Sequence, residues 1–538
     1  MVPARPPAPS DPHTRQVLPA RPSPFSARAP TPAAPRTRRM VSVRLNVSRL
    51  APVLLLVAIA PLAACEGCPA QRPASAPGTE DHAAAMTVAE RLGQWDFATL
   101  IETAPVPLHG GGEIGIRAAD CAACHQDIHR EWSQSTHAAA MRDPQFIAEL
   151  AKHDSPRWLC VSCHAPLQDQ HPVRLQSDTL LLGATDTALG NPEPVPHPGF
   201  DPALAEEAVT CASCHVRLYE DGRGTILGAR GDTDAPHRVT VDAASLRNAC
   251  ARCHTPGEGL LTPTFPCWFE TDAELAAGPH ADRDCASCHM PGTHRPIALG
   301  SPPRDTVHHF WAGGGVPKDF PGYETLLDRG WHPGFSATVG PPRAAADGTR
   351  VRLDLHNDRA GHAVPTADPE RHLRIHVRLE SADGRLLDHA THRIGQEWHW
   401  GDSLRNDPAR RLDDNRLAPG ERRELSFTLA DAPEDASVVV EILHVRLAPE
   451  NLRYARATPI DDDLLRHRAD AAEVVAELER HYPSFTYVFA ERWPVGGGPP
   501  VRASLAELVE RSAAAQEWTV TDLEQAIDGS GGRALPPP

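Results

Sequence analysis

The frame Cys-x-x-Cys-His occurs five times in this chain, and no other feature restricts its fold so tightly. The copies are Cys121-Ala-Ala-Cys124-His125, Cys160-Val-Ser-Cys163-His164, Cys211-Ala-Ser-Cys214-His215, Cys250-Ala-Arg-Cys253-His254 and Cys285-Ala-Ser-Cys288-His289. With 13 cysteines and 29 histidines in 538 residues, chance would supply about 0.02 copies. Two thiols at this spacing on one short helical turn can add to the two vinyl groups of a haem, and the adjoining histidine then offers an imidazole nitrogen to the iron. The frame therefore predicts five covalently bound haem c groups, with the ten cysteines as thioether donors and His125, His164, His215, His254 and His289 as proximal ligands. Each porphyrin is a large apolar plate against which neighbouring segments can pack, so short helices and loops are expected around it.

Two other uses of paired cysteines compete. Zinc knuckles use such pairs, but zinc does not require a histidine directly after every second cysteine. A secreted disulfide framework is the other alternative, yet a two-residue gap repeated five times is not how such frameworks are spaced.

Residues 1–39 are rich in Pro, Arg, Ala and Ser and lack apolar periodicity, so they read as an unstructured extension, with Met40 as an alternative start. Arg44 and Arg49 then precede an apolar stretch from Leu50 to Leu62, and Leu62-Ala63-Ala64-Cys65 closes it. That layout over 40–64 is a signal peptide, too short to span a bilayer. Its end resembles the bacterial lipobox, which implies cleavage before Cys65 and lipidation of its thiol; a plain cleavage site beside a chance cysteine is the alternative. Glu66, where the resemblance makes aspartate the usual inner-membrane retention signal, favours outer-membrane sorting. The expected location is the periplasm or the outer membrane of a Gram-negative bacterium. The net charge of −17 argues against nucleic acid as a partner, because phosphate binding wants a basic face.

Each iron needs a ligand on its other face: a second histidine favours electron transfer, and an empty face admits substrate. Non-motif histidines in the haem region include His129, His137, His153, His171, His197, His237, His280, His294, His308 and His309. After the first motif the chain reads Glu131-Trp132-Ser133-Gln134-Ser135-Thr136-His137-Ala138. This resembles the cytochrome c-554-like multihaem proteins, as do His164-Ala165-Pro166, Val209-Thr210, His289-Met290-Pro291 and His308-His309-Phe310. The likeness spans about residues 118–315, with a further match near 361–366. It implies His137 as a distal ligand, His237 as a second, and His308 as a third with His309 as its rival. His171, His294, Met141 and Met290 are lesser candidates. Family members often carry four haems, one of them without a distal ligand, so a fifth motif prevents wholesale transfer of assignments.

After about residue 341 the pattern changes. Val351, Leu353 and Leu355 alternate, as do Leu373, Ile375, Val377 and Leu379, then Leu425, Phe427 and Leu429, then Val438, Val440 and Ile442. Such period-two runs read as antiparallel strands. Within them, Gly361-His362-Ala363-Val364-Pro365-Thr366 resembles an element common in exported multihaem proteins, with Ala367 where glycine usually follows. His362 is either a distal ligand reaching over from this domain or a turn histidine. Residues 462–482, 503–527 and 84–102 have helical spacing, and a Pro/Gly linker covers Pro494 to Pro500. Cys68 and Cys267 are unassigned.

The expected fold is α+β and multidomain. A linker and N-terminal helix (65–117) lead into a mainly helical and loop-built five-haem cytochrome c domain (118–340). A small antiparallel β-sandwich (341–450) and a helical C-terminal tail (451–538) follow. The reading favoured over a catalyst is an exported electron relay, taking electrons from redox partner proteins or quinone-linked donors and held at a membrane by lipid. One alternative is a reductase or oxidase of a small nitrogen or sulfur compound with one open haem; the Cys-x-x-Cys-Lys site of pentahaem nitrite reductases is missing. Another is a surface binding or scaffold protein that uses the β-domain.

Overall fold

Val351, Leu353 and Leu355 are at most 1% exposed, while Arg350, Arg352 and Asp354 between them face outward or lie half-buried. The alternation works as expected: one face of the strand meets a core and the other meets water. The structure, a computed structural model, describes residues 100–528 except 153–156, 175–194, 232–233, 256–269, 312–331, 400–409, 461–464, 466–467 and 482–484. The chain divides into two units, 1–78 and 79–538, and every described residue belongs to the second. The signal-peptide segment, Cys65, Cys68, His153, Cys267 and most of the expected 84–102 helix lie outside the described residues. Within 100–102, Ile101 makes a parallel bridge to Leu167.

Ten strands build two antiparallel sheets. The first holds β1 (Ser336–Val339), β2 (Arg343–Ala345), β3 (Gly348–His356) and β7 (Arg422–Leu429), all paired to β3. The second runs β6 (Arg410–Asp414), β5 (Leu386–His399), β4 (His372–Glu380), β8 (Ser437–Val445), β9 (Phe485–Pro494), β10 (Val501–Arg502). Their inner faces share one core, in which Val351, Leu353 and Leu355 meet Leu373, Ile375, Val377, Val438, Val440, Ile442 and Phe489.

This β-region is larger than the expected 341–450. It starts at Ser336, and β9 and β10 come from the segment expected to be a helical tail. Pro494–Pro500, expected as a linker, instead carries the turn between those two strands. The physical reason lies in β8, whose residues are buried on both faces: Leu443 and Val445 turn away from the shared core. Phe485 and Tyr487 of β9 pair beside them and help to cover that second face. Helices Leu505–Ala514 and Val520–Asp528 pack there as well, through Leu508 and Leu523. The first of these helices begins with a capping box, Glu507 N donating to Ser504 Oγ at 3.3 Å and Ser504 N donating to Glu507 Oε2 at 2.7 Å.

The haem-motif region is made of short helices and two- to five-residue strands. Its local core joins Ile101, Val106, Ile116, Leu167, Leu204, Ala212 and Val216. A second cluster ties Phe146, Ile147, Leu150 and Cys160 to Leu447, Leu452, Val475 and Leu478, which follow β8. Among the described residues no helix is long and apolar enough to cross a membrane.

Candidate functional site

Each motif forms one tight helical turn. His125 N donates to Cys121 O at 2.8 Å, His254 N to Cys250 O at 3.0 Å and His289 N to Cys285 O at 3.0 Å. The second and third motifs end helices Arg157–His164 and Cys211–His215. Three of the motif imidazoles are anchored through Nδ1: His125 to Ile297 O at 2.7 Å, His164 to Ala140 O at 3.0 Å and His215 to Leu227 O at 3.1 Å. An Nδ1–H donated to a carbonyl leaves Nε2 as the ring's acceptor, the form in which histidine binds metal.

Four of the five motif histidines face a second imidazole. Ring centres are 6.5 Å apart for His125 and His237, and 6.3 Å apart for His254 and His137. They are 6.4 Å apart for His215 and His309, and 6.3 Å apart for His289 and His362. Two imidazoles sharing one iron, each nitrogen ~2.0 Å from the metal and ~1.1 Å from its ring centre, stand ~6.3 Å apart. Burial, reinforced by the facing His254 and His215, lowers the pKa of His137 to about 3 and of His309 to about 4. Both rings are therefore neutral, as metal ligation requires. Among the described residues, the Nδ1 atoms of His237 and His309 are buried without a side-chain hydrogen-bond partner. Spacing and neutrality both fit haem iron.

Cysteines of different motifs also lie side by side: Cys121 beside Cys211, Cys163 beside Cys253 and Cys250 beside Cys285, with Cys214 near Cys250 and Cys253. Of the ten motif cysteines, Cys124 and Cys288 are exposed.

His137 faces the fourth motif and not the first, which it follows in sequence. Trp132 and Ser135 explain its position. Trp132 Nε1 donates to Val209 O at 2.9 Å, Val209 N donates to His137 O at 3.2 Å, and Ser135 Oγ bonds Trp132 O at 2.7 Å. His308 is not among the facing rings, because its Nδ1 bonds Glu131 Oε1 at 2.7 Å; the ring opposite His215 belongs to its neighbour, His309.

His362 comes across from the β-region in a loop fastened on both sides. Asn357 Nδ2 donates to His362 O at 2.8 Å, and Glu274 Oε2 accepts from Ala363 N at 3.1 Å and Thr366 Oγ1 at 3.0 Å. A Cβ on Gly361 would stand 2.4 Å from Leu275 Cδ1, so a larger residue there would require that side chain to shift. Of the lesser candidates, His171 bonds Ala165 O, His197 bonds Asp169 and His294 bonds Asp305. Met141 packs against the core around Phe146. Sequence reasoning missed Phe146, which stacks on His164 with ring centres 3.8 Å apart. It also missed the buried Glu131, whose only sequence signal was its place beside Trp132.

Residues 120–183 match the family model described as cytochrome c554 and c-prime. That match covers the first two Cys-x-x-Cys-His motifs and makes this part of the chain similar to multihaem c-type cytochromes. Among solved structures, the chain is similar to a penta-heme cytochrome c552 from Thermochromatium tepidum, at 19% identity over 72% of this chain and 99% of that one, with a TM-score of 0.44. No curated protein matches it.

Proposed function

We propose that this chain is an exported electron relay carrying five haem c groups, four of them held between two histidines. The observation that carries the reading is the set of facing imidazoles, His125–His237, His254–His137, His215–His309 and His289–His362, at 6.3–6.5 Å. Haem iron, when bound, supplies a reversible one-electron change. The protein's part is to anchor rings, as at His125, His164 and His215, and to offer the iron two imidazoles, which would exclude small molecules.

The neighbouring cysteines support an order: first motif beside third, third beside fourth, and second and fifth both beside the fourth. The first, second and fifth motifs are the termini of that order, and the exposed Cys124 and Cys288 favour the first and fifth as the points where electrons enter and leave. A redox protein or a quinone-linked donor is the proposed partner, with Cys65 lipidated at the membrane. Intact mass after expression with a haem-maturation system tests the count: five haem increments are expected, and fewer overturn it. Fatty-acid labelling that marks the wild type and misses Cys65→Ser tests the anchor.

A second reading has one observation in its favour. Among the described residues, the ring against His164 is Phe146 and not an imidazole. An open second axial face there would make the second haem a site for a small nitrogen or sulfur compound. A high-spin ferric EPR signal that responds to nitrite or hydroxylamine selects this reading; a wholly low-spin spectrum selects the relay.

A further inference from the structure

We propose that Glu131 is a positioning residue for the third haem: its carboxylate selects which of two adjacent histidines, His308 or His309, faces His215. The inference rests on the reading that His309 is a distal ligand. Nothing in the local sequence distinguishes the two rings. They follow strand Arg304–Val307, and consecutive side chains of extended backbone point to opposite sides. A small rotation of the segment would therefore exchange them.

Glu131 prevents that rotation by receiving four donors. Oε1 accepts from Arg295 Nη1 at 2.5 Å and His308 Nδ1 at 2.7 Å; Oε2 accepts from Arg295 Nη2 at 2.8 Å and the backbone N–H of His309 at 2.8 Å. One carboxylate thus holds the His308 ring on its own side and fixes the His309 backbone, which sends the His309 ring toward His215. Arg295 binds in the bidentate geometry that gives carboxylate pairs their directionality. It also donates to Val307 O at 3.4 Å, so it grips the strand leading into the two histidines. Glu131 is 4% exposed. The clamp is thus a buried carboxylate paired with the Arg295 guanidinium. It also joins three motifs: Glu131 lies on the helix after the first, Arg295 lies on the strand after the fifth, and the ring they place serves the third.

The test compares Glu131→Gln with His309→Ala in the haem-loaded protein, read by EPR, carbon monoxide binding and potentiometry. His309→Ala should turn about one fifth of the ferric haem high-spin, able to bind carbon monoxide when reduced. If it does not, the ligand assignment fails and the clamp with it. Glu131→Gln keeps the shape but removes the charge. The same haem should then turn partly high-spin or show an altered low-spin signal and a shifted potential, with the other four unchanged. Wild-type spectra and potentials in Glu131→Gln, or a change spread evenly over all haems, overturn the proposal. Should Glu131→Gln fail to accumulate, Arg295→Lys keeps the positive charge but loses the fork. It should show the same one-haem signature in weaker form, and a wild-type spectrum there overturns the proposal as well.

Discussion

Phe146 lies flat on His164, with ring centres 3.8 Å apart and planes within 8°, whereas each of the other four motif histidines looks across a gap at another imidazole. A stacked ring acts on the face of the imidazole and leaves its in-plane nitrogens alone. Phe146 therefore sets the rotation of His164 about the axis along which it would bind iron. Phe146 itself belongs to the core formed with Leu447, Leu452, Val475 and Leu478.

Replacing Phe146 by alanine removes this stacking and opens a cavity in that core. The expected cost is about 3–5 kcal/mol of unfolding free energy. Denaturant titration of the haem-loaded protein measures it. A loss under about 1 kcal/mol would mean that the surrounding side chains collapse into the space.

His137→Ala and His362→Ala should each free one iron while leaving all five haems attached, because the thioether cysteines are untouched. Each should create a high-spin ferric signal and carbon monoxide binding on reduction. The affected centre should be the fourth motif for His137 and the fifth for His362, the rings they face. Two variants with wild-type spectra would remove these histidines from the ligand set.

Ala367 adopts φ +79°, a left-handed conformation that costs an L-residue about 1–2 kcal/mol and glycine almost nothing. The turn after Thr366 is thus built for the glycine that this chain lacks. Ala367→Gly should raise stability by about 1 kcal/mol, less the extra chain entropy of glycine when unfolded. Thermal unfolding reads the change, and a lowered midpoint would contradict it.

Glu370 is buried; its Oε2 accepts from Ala448 N at 3.0 Å and its Oε1 has no partner among the described residues. Burial, and then the neighbouring charge of Asp368, push its pKa well above the ordinary 4.5. Between 4.5 and the raised value the folded chain holds a proton that the unfolded chain has lost. This contribution to stability is complete below 4.5 and is lost as pH rises above it. Glutamine mimics the protonated acid, so Glu370→Gln should flatten the decline and be the more stable protein at neutral pH. Denaturant midpoints taken across pH 4–8 check the sign.

Sequence alone determined what depends on a few neighbouring residues. The spacing Cys-x-x-Cys-His closes one helical turn wherever it stands, so all five motif turns were legible. So were the strands around Leu353, Ile375, Phe427 and Val440, because alternation records which face is wet. The partner of each motif histidine was decided by tertiary structure. His137 meets His254 because Trp132 is tied to Val209, and His309 displaces His308 because Glu131 and Arg295 hold the other ring. The same holds for Phe485–Pro494, which is a strand because β8 presents an edge and an apolar second face that it can pair beside and help to cover. Local geometry is set by sterics and hydrogen bonds between near neighbours. The choice between chemically equal side chains is set by contacts between segments far apart in the chain, which no local pattern encodes.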